Sequence, residues 1–367
     1  MSHRSFQVTF AAVLLTVTSV LAACSSSKAP DAPLSSAGGS TAASHPEWSQ
    51  YTFTIGDNGG DGSEELSKVT GAFDDAPYKV KFARFDYGPP LVQATATGDI
   101  DLGYVGDVPP ITGAAKQFGF KIVAVQRGAD QTKAAENIIV PKESPIQTLA
   151  DLKGKKLAIP QGSSAHGLAL LALKSVGLTP KDVQLVYLSP AAGATAFNSG
   201  KVDAWSIWNP PSAIAVKDGA RIIAKGVPPI DQVNNYYVAT DKSLGDPNRR
   251  AALADLLTRV ARIFNWAQQN PDQYAKAIAK ETGVSWEDAR TTVDSYPFKI
   301  TQVLPEDVKA QQALSDAFFA AGEITKKVDI TTITDNLLPD ASTARSSHDR
   351  RGTGTASQRV PHGGRPP

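Results

Sequence analysis

Residues 153–211 read KGKKLAIPQGSSAHGLALLALKSVGLTPKDVQLVYLSPAAGATAFNSGKVDAWSIWNPP, and this stretch decides the fold. Short apolar runs at residues 156–159, 183–188 and 202–205 predict strands, and the segments between them predict helices that end at glycines. The order β-α-β-α-β predicts a parallel sheet. Such sheets bind small ligands beyond the carboxyl ends of their strands, where helix N-termini face the crevice.

The polar residues at that edge of the sheet form a candidate anion site. Serine hydroxyls and backbone N–H groups at a helix start favour a small anion. Serine is also a common N-cap, and the two roles are compatible, because a capping serine and the N–H groups after it can both face an anion. We therefore predict ligand contacts from Gln161, Gly162, Ser163 and Ser164.

Three ring residues near this edge have a structural alternative to ligand binding. His166 lies in the first turn of the predicted helix, where it either contacts the ligand or packs like any other histidine. Trp205 and Trp208 lie three residues apart, where a strand runs into a turn. Burial is the default for tryptophan, so we expect one of them in the core and the other on the wall of the crevice.

The first half of the folded region also reads β-α-β-α-β, and it begins with an unusually glycine-rich loop. A strand at residues 51–55 precedes the loop GDNGGDGS at residues 56–63, and a helix follows at residues 64–69. The loop is either a flexible surface loop or a place where the backbone approaches a ligand at a helix start. On the second interpretation, ligand contacts come from Asp57, Gly59, Gly60 and Gly62.

Further candidates end the next strands of this half. Gly106 and Asp107 follow the strand at residues 100–105, just before a helix that a proline opens. An acid repels an anion, so within the site we favour a capping or backbone-orienting role for Asp107. Arg127 ends the fourth strand, where it either pairs with the ligand or forms a salt bridge.

The charge balance and the residue inventory disfavour several classes of function. With 37 Lys+Arg against 36 Asp+Glu, the formal net charge is +1, which argues against a nucleic-acid-binding protein. The five histidines are scattered without metal-ligand spacing, and the chain has no Gly-x-Ser-x-Gly motif. We therefore expect no metal, no cofactor and no catalytic residue.

The first 23 residues predict export. A short apolar run ends in Leu-Ala-Ala-Cys at Cys24, the only cysteine of the chain. This arrangement resembles a bacterial lipobox, which implies cleavage before Cys24 and lipidation of its thiol; the alternative is an ordinary signal peptide. Residues 24–48 are rich in Ser, Ala, Gly and Pro and predict a flexible tether, and the composition of residues 341–367 predicts a disordered tail.

Three segments resemble the aliphatic sulfonate-binding proteins of ABC importers, which are relatives of taurine- and nitrate-binding proteins. They are GDIDLGYVGDVPPITGAA at residues 98–115, SPIQTLADLKGKKLAIPQGSSAHGLALLALKSVGL at residues 144–178 and DVQLVYLSPAAGATAFNSGKVDAWSIWNPP at residues 182–211. The resemblance covers residues 51–338. It implies the α/β fold of a type II periplasmic binding protein, with two lobes, each a mostly parallel sheet flanked by helices, and two crossing strands as a hinge.

The lobe alternation in the chain agrees with that fold. We expect residues 49–130 and 235–340 to form the first lobe and residues 131–234 the second, with the ligand in the cleft between them. The sequence departs from the family pattern in its short first helix, in its acidic glycine-rich loop and at Asn209, where family members often carry an acid. Asn209 completes the set of predicted ligand contacts.

The resemblance implies a lipid-anchored, extracytoplasmic solute-binding protein that captures an aliphatic sulfonate for sulfur acquisition. Its partners are then the permease and ATPase subunits of an ABC importer, and we expect the binding protein to be a monomer. The crossing segments at residues 128–137 and 226–236 become the hinges of cleft closure. One alternative is the same role with taurine, nitrate, a sulfate ester or a pyrimidine as the ligand. Another is an enzyme of the pyrimidine synthase type, which needs a cysteine-rich stretch that this chain lacks.

Overall fold

The computed structural model describes residues 45–339. The strands are β1 (Thr52–Asn58), β2 (Lys79–Phe85), β3 (Leu102–Val105), β4 (Phe120–Gly128), β5 (Glu136–Val140), β6 (Lys156–Ile159), β7 (Gln184–Tyr187), β8 (Ala204–Trp208), β9 (Arg221–Lys225), β10 (Asn234–Thr240) and β11 (Phe298–Thr301). The helices are α1 (Ser63–Thr70), α2 (Gly88–Thr97), α3 (Val108–Ala115), α4 (Ser164–Ser175), α5 (Pro190–Asn198), α6 (Pro211–Lys217), α7 (Asp241–Gly245), α8 (Pro247–Gln269), α9 (Pro271–Thr282), α10 (Trp286–Ser295) and α11 (Pro305–Ala320). Short 3-10 helices lie at Pro46–Gln50, Leu149–Leu152, Pro180–Asp182 and Ile330–Ile333.

Several sequence predictions concern residues outside this range. The signal peptide, the lipidation site at Cys24, most of the tether and the tail at residues 341–367 lie outside the described residues. Within residues 45–339, no helix has both the length and the apolar character needed to cross a membrane.

The strands form two sheets, one in each lobe. The first lobe contains the six-stranded sheet β11-β4-β10-β3-β1-β2, in which β1, β2, β3 and β4 share one direction. The second lobe contains the five-stranded sheet β7-β6-β8-β5-β9, in which only β5 runs against the other strands. Both sheets are therefore mixed, with most of their strands in one direction, and the α/β fold with two lobes agrees with the prediction.

The antiparallel strands β5 and β10 arise where the chain passes between the lobes. After β4 the chain leaves the first sheet and enters the second as β5, which lies between β8 and β9. After β9 it returns as β10, which lies between β3 and β4. Both crossing strands start at the boundary between the lobes, so their first residues lie beside the cleft.

Helix α8 shows why the sequence folds this way locally. Asp246 caps its N-terminus by accepting hydrogen bonds from the N–H groups of Asn248 and Arg249. Its apolar stripe at helical spacing, which includes Leu253, Leu256 and Phe264, is buried against the first sheet.

A separate apolar cluster connects the two lobes away from the cleft. Leu170 of α4, in the second lobe, packs with Val108 and Ile111 of α3 and with Leu314 and Phe318 of α11. Burial of these side chains is worth about 1.5–3 kcal/mol each, so this contact holds the lobes together on one side. The opposite side, where α6 faces α10, is joined by polar contacts.

Candidate functional site

A cleft lies between the lobes at the carboxyl ends of β1, β3 and β8 and at the first residues of β5 and β10. This is the edge at which parallel sheets bind small ligands. Of the predicted ligand contacts, eight line the cleft: Gly59, Gly60, Gly106, Asp107, Ser163, Ser164, Trp208 and Asn209.

Three helices begin at the wall of the cleft, and none of them has a side-chain cap. These are α2 at Gly88, α3 after Asp107 and α4 at Ser164. By contrast, helices α5 and α10 have serine caps, from Ser189 and Ser285. The N–H groups of a first helical turn have no partner within their helix, so the three uncapped ends can donate hydrogen bonds to a ligand. Pro89 and Pro90 in α2 and Pro109 and Pro110 in α3 have no N–H, so these two starts keep fewer donors than the start of α4. Their aligned peptide dipoles favour a negative charge at the same place.

The serine hydroxyls at the start of α4 are already used within the protein. Ser163 Oγ donates to the carbonyl oxygen of Pro160 at 2.6 Å, and Ser164 Oγ donates to Glu136 Oε2 at 2.9 Å. Ser163 occupies the N-cap position without making the capping hydrogen bond. Both serines line the cleft, but the donors that remain for an anion are backbone N–H groups rather than these hydroxyls.

The expectation that Asp107 caps the following helix is wrong. Asp107 stands at the N-cap position of α3, but its side chain makes no capping hydrogen bond. Its Oδ1 is buried without a hydrogen-bond partner among the described residues. Burial and the nearby carboxyl of Asp231 raise the pKa of Asp107 well above the usual range.

The glycine-rich loop after β1 does not offer its N–H groups to the cleft. Asp57 Oδ1 accepts the N–H groups of Gly60 and Asp61 at 2.9 and 3.0 Å, and Glu281 Oε2 accepts that of Gly62 at 2.9 Å. The carboxylates of Asp57 and Glu281 thus accept the loop N–H groups that the sequence assigned to a ligand. Asp57 and Gly62, which the sequence predicts as ligand contacts, do not line the cleft.

A cation also stabilises this arrangement of carboxylates. Oxygens of Asp57, Asp61 and Glu281 all lie within 4.8 Å of one another. Arg84 pairs with Asp57 at 3.0 Å and with Glu281 at 3.3 Å. Because Asp57 and Glu281 already accept backbone N–H groups and this guanidinium, we interpret the cluster as a structural anchor for the loop rather than as a metal site.

Four other predicted contacts also lie outside the cleft wall, namely Gln161, Gly162, His166 and Trp205. Gln161 is exposed, and the N–H of Gly162 donates to His166 Nδ1 at 3.2 Å. The His166 ring packs edge-on against Tyr187 and Phe318, and burial lowers its pKa to about 4. Of the two roles expected for His166, the structure shows the packed one, with the ring fixing the turn before α4 and lying outside the cleft wall.

The two tryptophans take the two roles expected of the pair. Trp205 is buried against Phe197, with ring centroids 5.8 Å apart, and it does not reach the cleft. Trp208, three residues later on the same strand, lines the cleft. Successive residues of a strand point to opposite faces, so positions separated by three face opposite ways.

Aromatic side chains from the first lobe form much of the remaining wall. They are Tyr104, Tyr274, Tyr296 and Phe298. Tyr296 OH lies 3.0 Å from the carbonyl oxygens of Gln126 and Val233, which fixes its ring against the start of β10. Sequence reasoning missed this wall, because three of its four members come from α9 and the region after α10.

Buried acids are the other part of the site that the sequence did not indicate. Glu136 begins β5 and Asp231 lies just before β10, and both line the cleft while being more than nine-tenths buried. A Cβ added at Gly226 would lie 2.7 Å from Asp231 Oδ2 and 2.9 Å from Glu136 Cγ, so the two carboxyls are neighbours. Burial and the charges of Asp231 and Asp107 raise the pKa of Glu136 well above its usual range.

No Lys, Arg or His side chain within the described part of the chain lines the cleft. Arg127, the cation that the sequence placed nearest to it, forms an ion pair with Asp307 through Nε, at 3.1 Å, and through Nη2. The salt-bridge alternative for Arg127 is therefore confirmed.

Contacts between the lobes close the cleft on the side of α6 and α10. Asn209 Nδ2 donates to Ser295 Oγ at 2.8 Å, and Lys217 Nζ lies 2.8 Å from Asp288 Oδ1. Deeper in the cleft, Gly106 of the first lobe touches Ser164 of the second. The structure thus shows the lobes in contact around the site.

Two α/β lobes joined by two crossing strands, with a cleft between them, are the fold of a periplasmic binding protein. Residues 79–274 match the NMT1/THI5-like family. The chain belongs to this family, which confirms the resemblance seen in the sequence.

Relatives and solved structures within this fold are named for sulfonates. The chain is 35% identical over 255 residues, which are 69% of this chain and 78% of the relative, to an Escherichia coli K12 protein named as a candidate aliphatic sulfonates-binding protein. The alkanesulfonate-binding protein SsuA of Xanthomonas axonopodis pv. citri, bound to MOPS, superposes with a TM-score of 0.71 at 29% identity, covering 78% of this chain and 98% of that one. The periplasmic aliphatic sulphonate-binding protein SsuA of E. coli gives 0.70 at 30% identity, covering 86% and 98%.

Proposed function

We propose that this protein is the extracytoplasmic solute-binding protein of an ABC importer and captures an aliphatic sulfonate between its lobes. The observation that carries the proposal is the convergence of three uncapped helix N-termini on one cleft, at Gly88, Asp107 and Ser164. The names of the relatives point to the same class of ligand.

Backbone donors suit a sulfonate for a chemical reason. A sulfonate has three acceptor oxygens and keeps its charge across the physiological pH range, so it needs several donors and no proton exchange. Each helix N-terminus stabilises an adjacent anion by typically 0.3–1 kcal/mol, and each charge-assisted hydrogen bond contributes about 1.5–3 kcal/mol. Several such contacts together approach the roughly 8 kcal/mol of micromolar binding. The ring of Trp208 and the tyrosines of the first lobe then cover the apolar part of the ligand.

Capture also requires release to a membrane partner. We propose that residues 1–23 direct export, that Cys24 carries a lipid, and that residues 24–48 tether a monomeric two-lobed body to the membrane. The two lobes are residues 49–130 with 235–340 and residues 131–234, and the ligand leaves them for the permease when the cleft opens. The polar contacts on the α6 and α10 side break more readily than the apolar cluster opposite, so opening starts on that side.

Calorimetric titration of the full chain with ethanesulfonate, propanesulfonate, sulfate, nitrate and a pyrimidine tests the ligand class. We expect one of the sulfonates to bind most tightly. Tighter binding of sulfate, nitrate or the pyrimidine than of both sulfonates would show that the ligand class is wrong.

A pair of variants at the start of α2 tests the anion site itself. Tyr87 occupies the N-cap position of this helix and makes no capping hydrogen bond. Pro89 and Pro90 follow Gly88 and have no backbone N–H, so neither Asp nor Asn at position 87 can accept a capping hydrogen bond, and Tyr87→Asp and Tyr87→Asn differ by one negative charge. We expect the Asp variant to bind sulfonates more weakly than the Asn variant. Equal affinities would exclude the start of α2 from the anion site.

A further inference from the structure

The side chains of the cleft have a charge pattern that a simple anion does not explain. Four carboxyl groups line it, those of Asp61, Asp107, Glu136 and Asp231, and among the described residues no cationic side chain does. Helix N-termini supply positive potential for an anion, but the acids oppose it. A ligand with only a negative charge would therefore meet carboxyl groups that contribute nothing to its binding.

The buried side-chain atoms of the cleft that have no hydrogen-bond partner are all oxygens. Asp107 Oδ1, Asn209 Oδ1 and Asn234 Oδ1 are buried without a hydrogen-bond partner among the described residues, and all three residues line the cleft. Only about 9% of Asp107 and of Asn234 is exposed. Buried acceptors without a donor are unfavourable, so the pattern calls for a ligand that donates hydrogen bonds.

The orientation of the Asn234 amide follows from its neighbours. Its Nδ2 lies 3.3 Å from Asp307 Oδ1, and the Asp307 carboxylate is ion-paired with Arg127 and accepts the N–H of Leu304 at 2.7 Å. An ionised carboxylate only accepts hydrogen bonds, so Asn234 must turn its Nδ2 toward Asp307. Its Oδ1 is therefore left as an acceptor for whatever occupies the cleft.

We infer that the ligand carries a protonated amine in addition to its sulfonate, and that Asp107, Asn234 and the Glu136–Asp231 pair bind that amine. The inference rests on the proposed function and narrows it from alkanesulfonates to aminoalkanesulfonates. The ammonium supplies the donors that the unsatisfied acceptors need and neutralises the carboxyls around it. The sulfonate keeps the backbone N–H groups at the helix starts.

The protonation state of the acids distinguishes a ligand with an ammonium group from a simple anion. The groups that act on the cluster are Asp107, Glu136 and Asp231 themselves, the hydroxyl of Ser164, and the backbone N–H groups of Val108, Gln232 and Val233, the last of which donates to Asp231 at 2.7 Å. Burial raises the pKa of all three carboxyls. Protonated, they could donate to a simple anion, whose affinity would then fall as the pH rises. Ionised, they pair with an ammonium, whose affinity rises with pH.

A matched pair of ligands tests the inference on the unmodified full chain. 2-Aminoethanesulfonate and 1-propanesulfonate have nearly the same shape and differ by an ammonium in place of a methyl group. We expect the amine to bind at least about tenfold more tightly at neutral pH, as one or more charge-assisted hydrogen bonds imply. Its affinity should rise from about pH 5 to about pH 8, where amine and sulfonate both remain charged.

The outcomes separate the two proposals. Equal or tighter binding of 1-propanesulfonate overturns the amine inference and leaves the sulfonate function intact. Binding of ethylamine as tight as that of 2-aminoethanesulfonate, or no binding of either sulfonate, overturns the proposed function together with the inference.

Asp107→Asn then assigns the role of one carboxyl. This variant keeps the shape of the side chain and removes its charge, so the preference for 2-aminoethanesulfonate over 1-propanesulfonate should fall about tenfold. Asp218→Asn, at an exposed position after α6, is the control and should leave the preference unchanged. Melting temperatures show that each variant is folded, and Glu136→Gln repeats the test on the neighbouring carboxyl. An unchanged preference in both Asp107→Asn and Glu136→Gln would overturn the assignment of the amine to these acids.

Discussion

Replacing Gly106 by alanine should obstruct closure of the cleft without straining the backbone. A Cβ at this position would lie 2.8 Å from Ser164 Cβ and 3.1 Å from Ser164 Oγ, on the other side of the cleft. The φ angle of Gly106 is outside the left-handed region, so alanine meets only this steric contact. Ordinary contact begins between 3.4 and 4 Å, so the lobes must separate by about 0.6–1.2 Å at this point.

The expected size of the effect follows from the cost of overpacking. Inserting a methyl group into a packed contact costs about 1–3 kcal/mol. The open protein avoids the clash, so this cost applies to the closed, liganded form and should weaken ligand binding about 5- to 150-fold. The melting temperature without ligand should change little, while the increase that ligand produces should become smaller.

Calorimetry of Gly106→Ala beside Gly245→Ala checks this reasoning. Gly245 also has a φ angle outside the left-handed region, and a Cβ there would meet nothing within 4 Å, so its variant should bind like the original protein. Small-angle scattering at saturating ligand should show a larger radius of gyration for Gly106→Ala than for the control. Unchanged affinity in Gly106→Ala would mean that the Gly106–Ser164 contact does not belong to the liganded form.

Three further predictions concern the core, the pH dependence and the anchor. Trp205→Ala should lower the free energy of unfolding by about 3–5 kcal/mol, which denaturation measures. Trp208→Ala should mainly weaken the binding of longer sulfonates, which calorimetry on the same samples measures. Burial lowers the pKa of His166 from 6.5 to about 4, so the neutral ring stabilises the fold fully above pH 6.5. The free energy of unfolding should therefore decrease as the pH falls from 6.5 toward 4, by up to about 1.4 kcal/mol per pH unit, and it should decrease less steeply in His166→Gln. Cys24→Ala should release the protein from the membrane fraction or leave it unprocessed, and unchanged fractionation and mobility would contradict lipidation.

Much of the fold is visible in the sequence because its signals are local. The predicted bounds of β6, residues 156–159, agree with the structure, since Gly154 and Pro160 mark its ends. Strand β11 was missed, because four residues between two helices are too few for a periodic pattern. Its pairing with β4 is a contact between distant parts of the chain.

The site was less predictable, because remote residues decide its chemistry. The sequence shows that the loop after β1 is rich in glycine, but not that Glu281, 219 residues after Gly62, satisfies an N–H group of that loop. Likewise, Glu136 and Asp231 belong to two different crossing segments, and only the fold makes them neighbours. Local motifs therefore predicted where the cleft lies, but not which groups within it remain available to a ligand.

The separation between main-chain donors and side-chain acceptors in the cleft affects ligand specificity. In the function that we propose, the three helix starts bind an anion through main-chain atoms. They can serve any sulfonate, and they distinguish poorly between one sulfonate and another. Discrimination must then come from the side chains around the rest of the ligand, which here are the buried acceptors and the aromatic rings that line the cleft. Because unsatisfied buried acceptors penalise a ligand that cannot donate to them, the amine site that we infer should favour aminoalkanesulfonates over plain alkanesulfonates, both of which the helix starts can accept.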